Sequence, residues 1–188
     1  MQNTLHCGQN HLYGIGLIES VFDINEIRDI QLIENLLHII LAGISTDEDK
    51  SLGNIQKGGT APVVDVLYYG DPVKKQGLSL LTGSGNDAVS VTNLTASGAN
   101  LVLFTTGNGN PFGAFVPTIK IASNTALAKK KRDWIDFNAG QVLDGASFEE
   151  AADRLFELVL QVASGQKQTK NEEFGYREIS IFRDGVIL

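Results

Sequence analysis

From residue 78 onward, short apolar runs alternate with stretches whose apolar positions recur every three or four residues. Runs at 78–81, 101–104 and 116–121 predict strands, with shorter ones at 134–137 and 178–182. Between them the spacing predicts helices at 86–97, 124–131 and 147–164. Ser147 is the N-cap of the last, Glu150 lies three residues on in a capping-box pattern, and Gly165 ends it. Upstream, Asp23 caps a predicted helix over 24–41, whose stripe is Ile27, Ile30, Ile33, Leu37, Ile40 and Leu41. Gly43 stops it. Residues 44–60 are polar and glycine-containing and read as a loop. Residues 61–69 read as a short helix, since Pro62 suits a first turn and Val63, Val66 and Leu67 share a face. Apolar strands alternating with helices predict an α/β fold: a mostly parallel sheet with helices on both faces, Rossmann-like and three-layered, plus an N-terminal helical segment. The expected division is 1–43 for that segment and 44–188 for the α/β domain. The helix stripe cannot stay in water cheaply, so it is expected to dock on the α/β domain, with residual apolar surface promoting a homodimer.

The strand ends carry the chemistry. The run at 78–81 leads into Gly83-Ser84-Gly85-Asn86-Asp87, and the run at 101–104 into Thr105-Thr106-Gly107-Asn108-Gly109-Asn110-Pro111-Phe112-Gly113. The run at 116–121 ends at Ser123-Asn124-Thr125, and the short one at 134–137 at Asn138-Ala139-Gly140. Loops at the carboxyl ends of parallel strands meet in one crevice. Glycines allow close backbone approach, while Asn, Thr and Ser suit hydroxyls and carboxylates. This combination points to a small, polar, anionic ligand. The first loop also fits G-x-G-x-x-A between strand and helix, but the next strand ends without the acid that would hold a ribose, which disfavours a nucleotide. A plain strand-to-helix turn capped by Asn86 or Asp87 accounts for that loop equally well. The second loop is no P-loop, since no Gly-Lys-Ser/Thr follows.

Composition narrows the classes. The 188 residues are 43% hydrophobic, enough for a core, and carry a net charge of −7. That charge argues against a nucleic-acid surface. The only basic cluster, Lys129-Lys130-Lys131-Arg132, closes a predicted helix, where cations complement the dipole. Cys7 is the single cysteine, so neither a disulfide framework nor a CxxC metal site is expected. No run is long enough to span a bilayer, and a cytoplasmic setting is expected. Lys120 stands between Ile119 and Ile121. In a central strand it would be buried at a cost unless paired; at an edge, which Pro117 favours, it would reach water. Asp136 either faces the crevice or caps a turn.

The segments KSLGNIQKGGTAPVVDVLYYGDP at 50–72, GLSLLTGSGNDAVSVTNLTASGANLVLFTTGNGNPFG at 77–113, VPTIKIASNTALAKKKRDWIDFNAG at 116–140 and ISIFRDG at 179–185 resemble, in order and spacing, the C-terminal part of the altronate dehydratase/galactarate dehydratase family. The resemblance implies a sugar-acid hydro-lyase that converts a hexonate or hexarate to a 2-keto-3-deoxy acid. It also implies a divalent metal, iron(II) in this family, with ligands outside this chain. The crevice residues it implies are Asn86, Asp87, Thr106, Asn108, Lys120, Asn124 and Asn138. Lys120 is expected as carboxylate clamp or base, Asp87 as acid or metal neighbour, and the asparagines and Thr106 as hydroxyl partners. Family members carry further catalytic sequence ahead of the KSLG motif, so an isolated chain is expected to be incomplete. Its expected partners are a sugar acid and either a second copy or a chain with the missing region. The rival readings are a non-catalytic small-anion or interaction module and, behind it, a nucleotide-binding domain.

Overall fold

The computed structural model describes residues 15–20, 61–83 and 86–181. The predicted helix at 24–41, its docking and the loop at 44–60 lie outside these residues. β1 (Ile15–Ser20), β2 (Val63–Leu67) and β3 (Gly77–Thr82) form one sheet in the order β1-β3-β2. There β2 runs parallel to β3 and β1 antiparallel. β4 (Val102–Thr106), β5 (Thr118–Ala122) and β6 (Phe137–Asn138) form a second sheet, wholly parallel, with β5 in the middle. The helices are α1 (Asp87–Ala96), α2 (Thr125–Lys130), α3 (Phe148–Ala163) and α4 (Lys170–Glu173), with a 3₁₀ turn at Ala139–Val142.

The expected α/β class with parallel strands is what the chain adopts, but the strands are shared between two sheets. α1 is the reason. Its buried Asn93 donates to the Thr82 carbonyl at 2.9 Å and accepts from the Gly70 N–H at 2.8 Å, so its amide serves the β2–β3 side. Leu94 packs against Leu67 and Leu81 of the same side, while Val91 packs with Val102 and Phe112 of the other. The two sheets are thus joined by side chains on a helix rather than by a backbone ladder.

The second sheet is covered on both faces. Ile119 and Ile121 point to one side, where Ala151, Leu155, Leu158 and Val162 of α3 meet them. Those α3 positions recur at helical spacing, and each large aliphatic chain buried there contributes roughly 1.5–3 kcal/mol. The Ser147 hydroxyl accepts from Glu150 N–H at 3.4 Å, giving the predicted N-cap, but it donates to Glu149 rather than taking part in a reciprocal box with Glu150. A full capping box forms instead at α4, between Thr169 and Glu172. On the other face lie Phe104, Phe112 and Val91.

Three local expectations change. Where a helix is expected at 61–69, residues 63–67 form β2, because β-branched valines suit a strand and β3 offers a parallel edge. Pro62 merely precedes it. The run predicted at 134–137 is mostly a turn, with Trp134 N–H and Ile135 N–H both donating to the Lys131 carbonyl, and β6 follows it. Residues 178–181 take no strand pairing: Ile179 and Ile181 are exposed, and the segment is held by Glu178 N–H on Gly113 O and Ser180 N–H on the Thr92 hydroxyl.

Gly140 is where α2 and the 3₁₀ turn approach most closely. A Cβ there would lie 2.4 Å from both Asn124 Cα and Thr125 N, which are backbone atoms with no room to give. Gly140→Ala is therefore expected to destabilise the chain by about 2 kcal/mol or more. Urea unfolding followed by circular dichroism reads this, and an unchanged midpoint would contradict the packing described.

Candidate functional site

The register of the parallel sheet brings its carboxyl ends level. Thr106 pairs with Ala122, and Ala122 with Asn138, so the three following loops leave from one edge. Hydrogen bonds then tie these loops into a continuous rim. Ser123 N–H donates to Thr106 O at 3.0 Å, and the Asn124 amide to Gly107 O at 3.3 Å. Lys131 Nζ donates to Asn108 O at 2.8 Å. Asn110 Nδ2 donates to the Asp87 carboxylate at 3.1 Å, which draws in the start of α1. On the far side Asn138 Nδ2 donates to the Thr125 hydroxyl at 3.0 Å, which in turn donates to Asp144.

Each predicted site residue has a definite place on or under this rim. Asn86 is the N-cap of α1 and accepts from Val89 N–H at 3.2 Å; Asp87 follows it as the first helical residue and is exposed. Asn124 is the N-cap of α2, accepting from Leu127 N–H at 2.8 Å while its amide reaches Gly107. Thr106 accepts from Gly109 N–H at 2.9 Å and so closes the turn that carries Asn108. Asn108 is exposed, and Asn138 is engaged with Thr125. Much of the polar capacity of these side chains therefore braces loops, and the remainder faces the rim.

Lys120 differs from the rest. It lies in the central strand and is only 1% exposed. Pro117 sits just before β5, where its missing N–H disturbs no ladder, so the edge position it suggested does not apply. Among the described residues no hydrogen bond or ion pair reaches the Lys120 ammonium, which lies 5.7 Å from the centre of the Phe112 ring. Burial pushes its pKa down to about 8, against the opposing charges of Asp136 and Glu178. Asp136, below it, accepts from the backbone N–H groups of Lys120 and Lys170, each at 2.7 Å. Burial raises its carboxyl above the usual range despite those two bonds and the nearby lysine charges. Glu178 accepts from Gly113 N–H at 3.0 Å, next in sequence to Phe112.

Sequence reasoning left Asn110, Thr125, Lys131, Asp144 and Glu178 without site roles. Their partners are distant in sequence, Gly113 and Glu178 being 65 residues apart. No local pattern encodes such pairings. A groove of about 290 Å³ lies beside β2, lined by Asp65, Val66, Leu67, Tyr68, Asp71, Pro72 and Lys74. It is open and carries no comparable convergence of polar loops, so the rim is the stronger candidate.

Residues 40–187 match the family described as D-galactarate/Altronate dehydratase, C-terminal, and the chain belongs to that family. Altronate dehydratase of Escherichia coli (strain K12) is 50% identical over 146 residues, 78% of this chain and 29% of that protein. Altronate dehydratase of Bacillus subtilis (strain 168) is 50% identical over 147 residues, again 78% and 29%. Galactarate dehydratase (L-threo-forming) of Escherichia coli (strain K12) is 38% identical over 143 residues, 74% of this chain and 27% of that protein. The chain thus spans less than a third of the length of these relatives.

The buried lysine makes stability depend on pH in a defined sense. Its folded pKa of about 8 lies below the ordinary 10.5, so between these values the unfolded chain binds more protons than the folded one. Stability attributable to Lys120 therefore rises with pH through that window, by up to about 1.4 kcal/mol per pH unit. Below pH 8 both states are protonated and the burial penalty is constant. Lys120→Met is expected to be more stable than wild type at pH 7, with the difference shrinking towards pH 10. Denaturant unfolding of both proteins across pH 7–10 checks this; a difference that does not change with pH would show that the ammonium is not burdened by burial.

Proposed function

We propose that this chain is the C-terminal, substrate-handling portion of a sugar-acid hydro-lyase of the altronate/galactarate type. The observation that carries the reading is the closure of three polar loops at the carboxyl edge of the parallel sheet, together with the start of α1, into one hydrogen-bonded rim. Half-identity to two altronate dehydratases supports it. The reaction removes the proton next to the substrate carboxylate and expels the neighbouring hydroxyl as water; the resulting enol becomes a 2-keto-3-deoxy acid. The enolate needs nearby positive charge, and the departing hydroxyl needs a proton. Asn108, Asn124, Asn138 and Thr106 are the proposed partners for substrate hydroxyls, with Asn86 at the head of α1. Asp87, exposed and beside Asn110, is the proposed acid. Lys120 has the depressed pKa of a base, but it is buried, so direct action as base or clamp requires the site to open onto it.

The described residues do not fit a resident divalent metal: no three His, Cys, Asp or Glu side chains among them come together as ligands. Asp136 and Glu178 are both spent on backbone N–H groups. No step is therefore assigned to a metal here, and the iron(II) implied by the family belongs, on this reading, to residues outside those described. A chain carrying the remainder of the catalytic region, or a second copy, is the proposed complement. The proposed setting is the cytoplasm; among the described residues no helix is long and apolar enough to cross a membrane.

Assayed alone on altronate and galactarate with iron(II), the chain is expected to give no turnover above the protein-free control. Adding the separately produced amino-terminal remainder of an altronate dehydratase is expected to restore 2-keto-3-deoxy acid formation. Robust turnover by the chain alone would refute its incompleteness, and no turnover in the combined reaction would overturn the dehydratase assignment.

A further inference from the structure

We infer that Lys131 is the carboxylate anchor of the rim, the residue that makes the site select an acid over a neutral polyol. This rests on the proposed sugar-acid reading. Three contacts fix the side chain where a substrate would meet it. Its stem lies against Gly109: a Cβ there would stand 2.9 Å from Lys131 Cδ and 3.0 Å from Leu127 Cδ1. Gly109 also has φ +77°, so a side chain at this position would be both crowded and strained. The ammonium donates to Asn108 O at 2.8 Å and lies over the Trp134 ring, 4.4 Å from its centre. Nothing else among the described residues competes for the charge, since no carboxylate forms an ion pair with it.

An ammonium has three donors, and one is spent on Asn108, which leaves two for an incoming anion. The ring beneath it holds the charge in place and limits its hydration on that side. The location is decisive. Asn108 is at the tip of the loop whose base, Thr106, stands level with Asn138 across the sheet edge. Lys120, the other lysine near this face, is 1% exposed and so does not present its charge to a ligand as it stands. A chain of net charge −7 repels anions at long range, so a fixed local cation is needed to favour them. Lys129 and Lys130 in the last turn of α2 add to the same local field.

The test is calorimetric titration of the full chain with galactarate and, separately, with galactitol, the neutral polyol of the same carbon number. Wild type is expected to bind galactarate more tightly than galactitol. Lys131→Met is expected to lose about tenfold in galactarate affinity with little change for galactitol, so that discrimination collapses. Lys131→Arg is expected to keep part of it. Circular dichroism and melting temperature show whether each variant is folded. If Lys131→Met weakens both ligands equally, the residue only braces the loop, and if discrimination persists, the anchor lies elsewhere; either result overturns the inference while leaving the sugar-acid reading intact. Should wild type bind neither ligand, the reading and the inference fall together.

Discussion

The carboxylate of Asp136 holds three parts of the molecule in one place. Its own N–H donates to Lys120 O, and one carboxylate oxygen accepts from Lys120 N–H. The other accepts from Lys170 N–H. The central strand, the approach to β6 and the first residue of α4 are therefore fixed by one side chain. A charge in this position is costly, and the two backbone donors only partly offset its burial. The Lys120 ammonium nearby offsets a further part while carrying a burial penalty of its own. Asp136 keeps its two backbone donors whatever stands at position 120, so its charge does not depend on the ammonium alone.

From this fixed centre the loops acquire their positions. Phe112 packs edge-on against Phe104 at 5.8 Å, with its ring centre 5.7 Å from the Lys120 ammonium. Gly113 is gripped on both sides, its N–H by Glu178 and its carbonyl by Glu178 N–H. Any Cβ at Gly113 would run into Tyr176 O at 2.0 Å, so only glycine allows the segment after Tyr176 to lie against this loop. The loop's tip, bearing Asn108 and Asn110, is thus held at its root by the C-terminal segment and at its crest by Lys131 and Asp87. Loops that carry sites need such a rigid base, because a small displacement of a binding group is felt directly in affinity.

Much of this was legible in the sequence wherever the determining forces are local. α1, α2 and α3 follow from their N-caps and their apolar spacing, and Asn86, Asn124 and Ser147 cap as their residue types suggest. The apolar runs ahead of the glycine loops become strands for the same reason. β2 was misread because Val63, Val66 and Leu67 fit a helical face as well as a strand, and only the presence of the β3 edge decides between them. The segment after Tyr176 has the composition of a strand but finds no neighbour to pair with. Whether Lys120 is central or at an edge depends on strand order, a tertiary property. Likewise the basic cluster at the end of α2 does complement the helix dipole, yet the contact from Lys131 to Asn108 joins residues 23 apart and leaves no trace in spacing.

The same side chains serve as cap and as candidate ligand partner, and this double use bears on how a site can be built on few residues. The Asn124 carbonyl oxygen accepts from Leu127 N–H while its amide bridges to Gly107, so one residue both starts α2 and closes the gap between two loops. Such bracing fixes the orientation of each amide before a ligand arrives, which lowers the ordering cost of binding. It also limits how many bonds each can still offer. On the proposed reading the rim grips one end of a sugar acid, the carboxylate end near Lys131, and a second surface meets the rest.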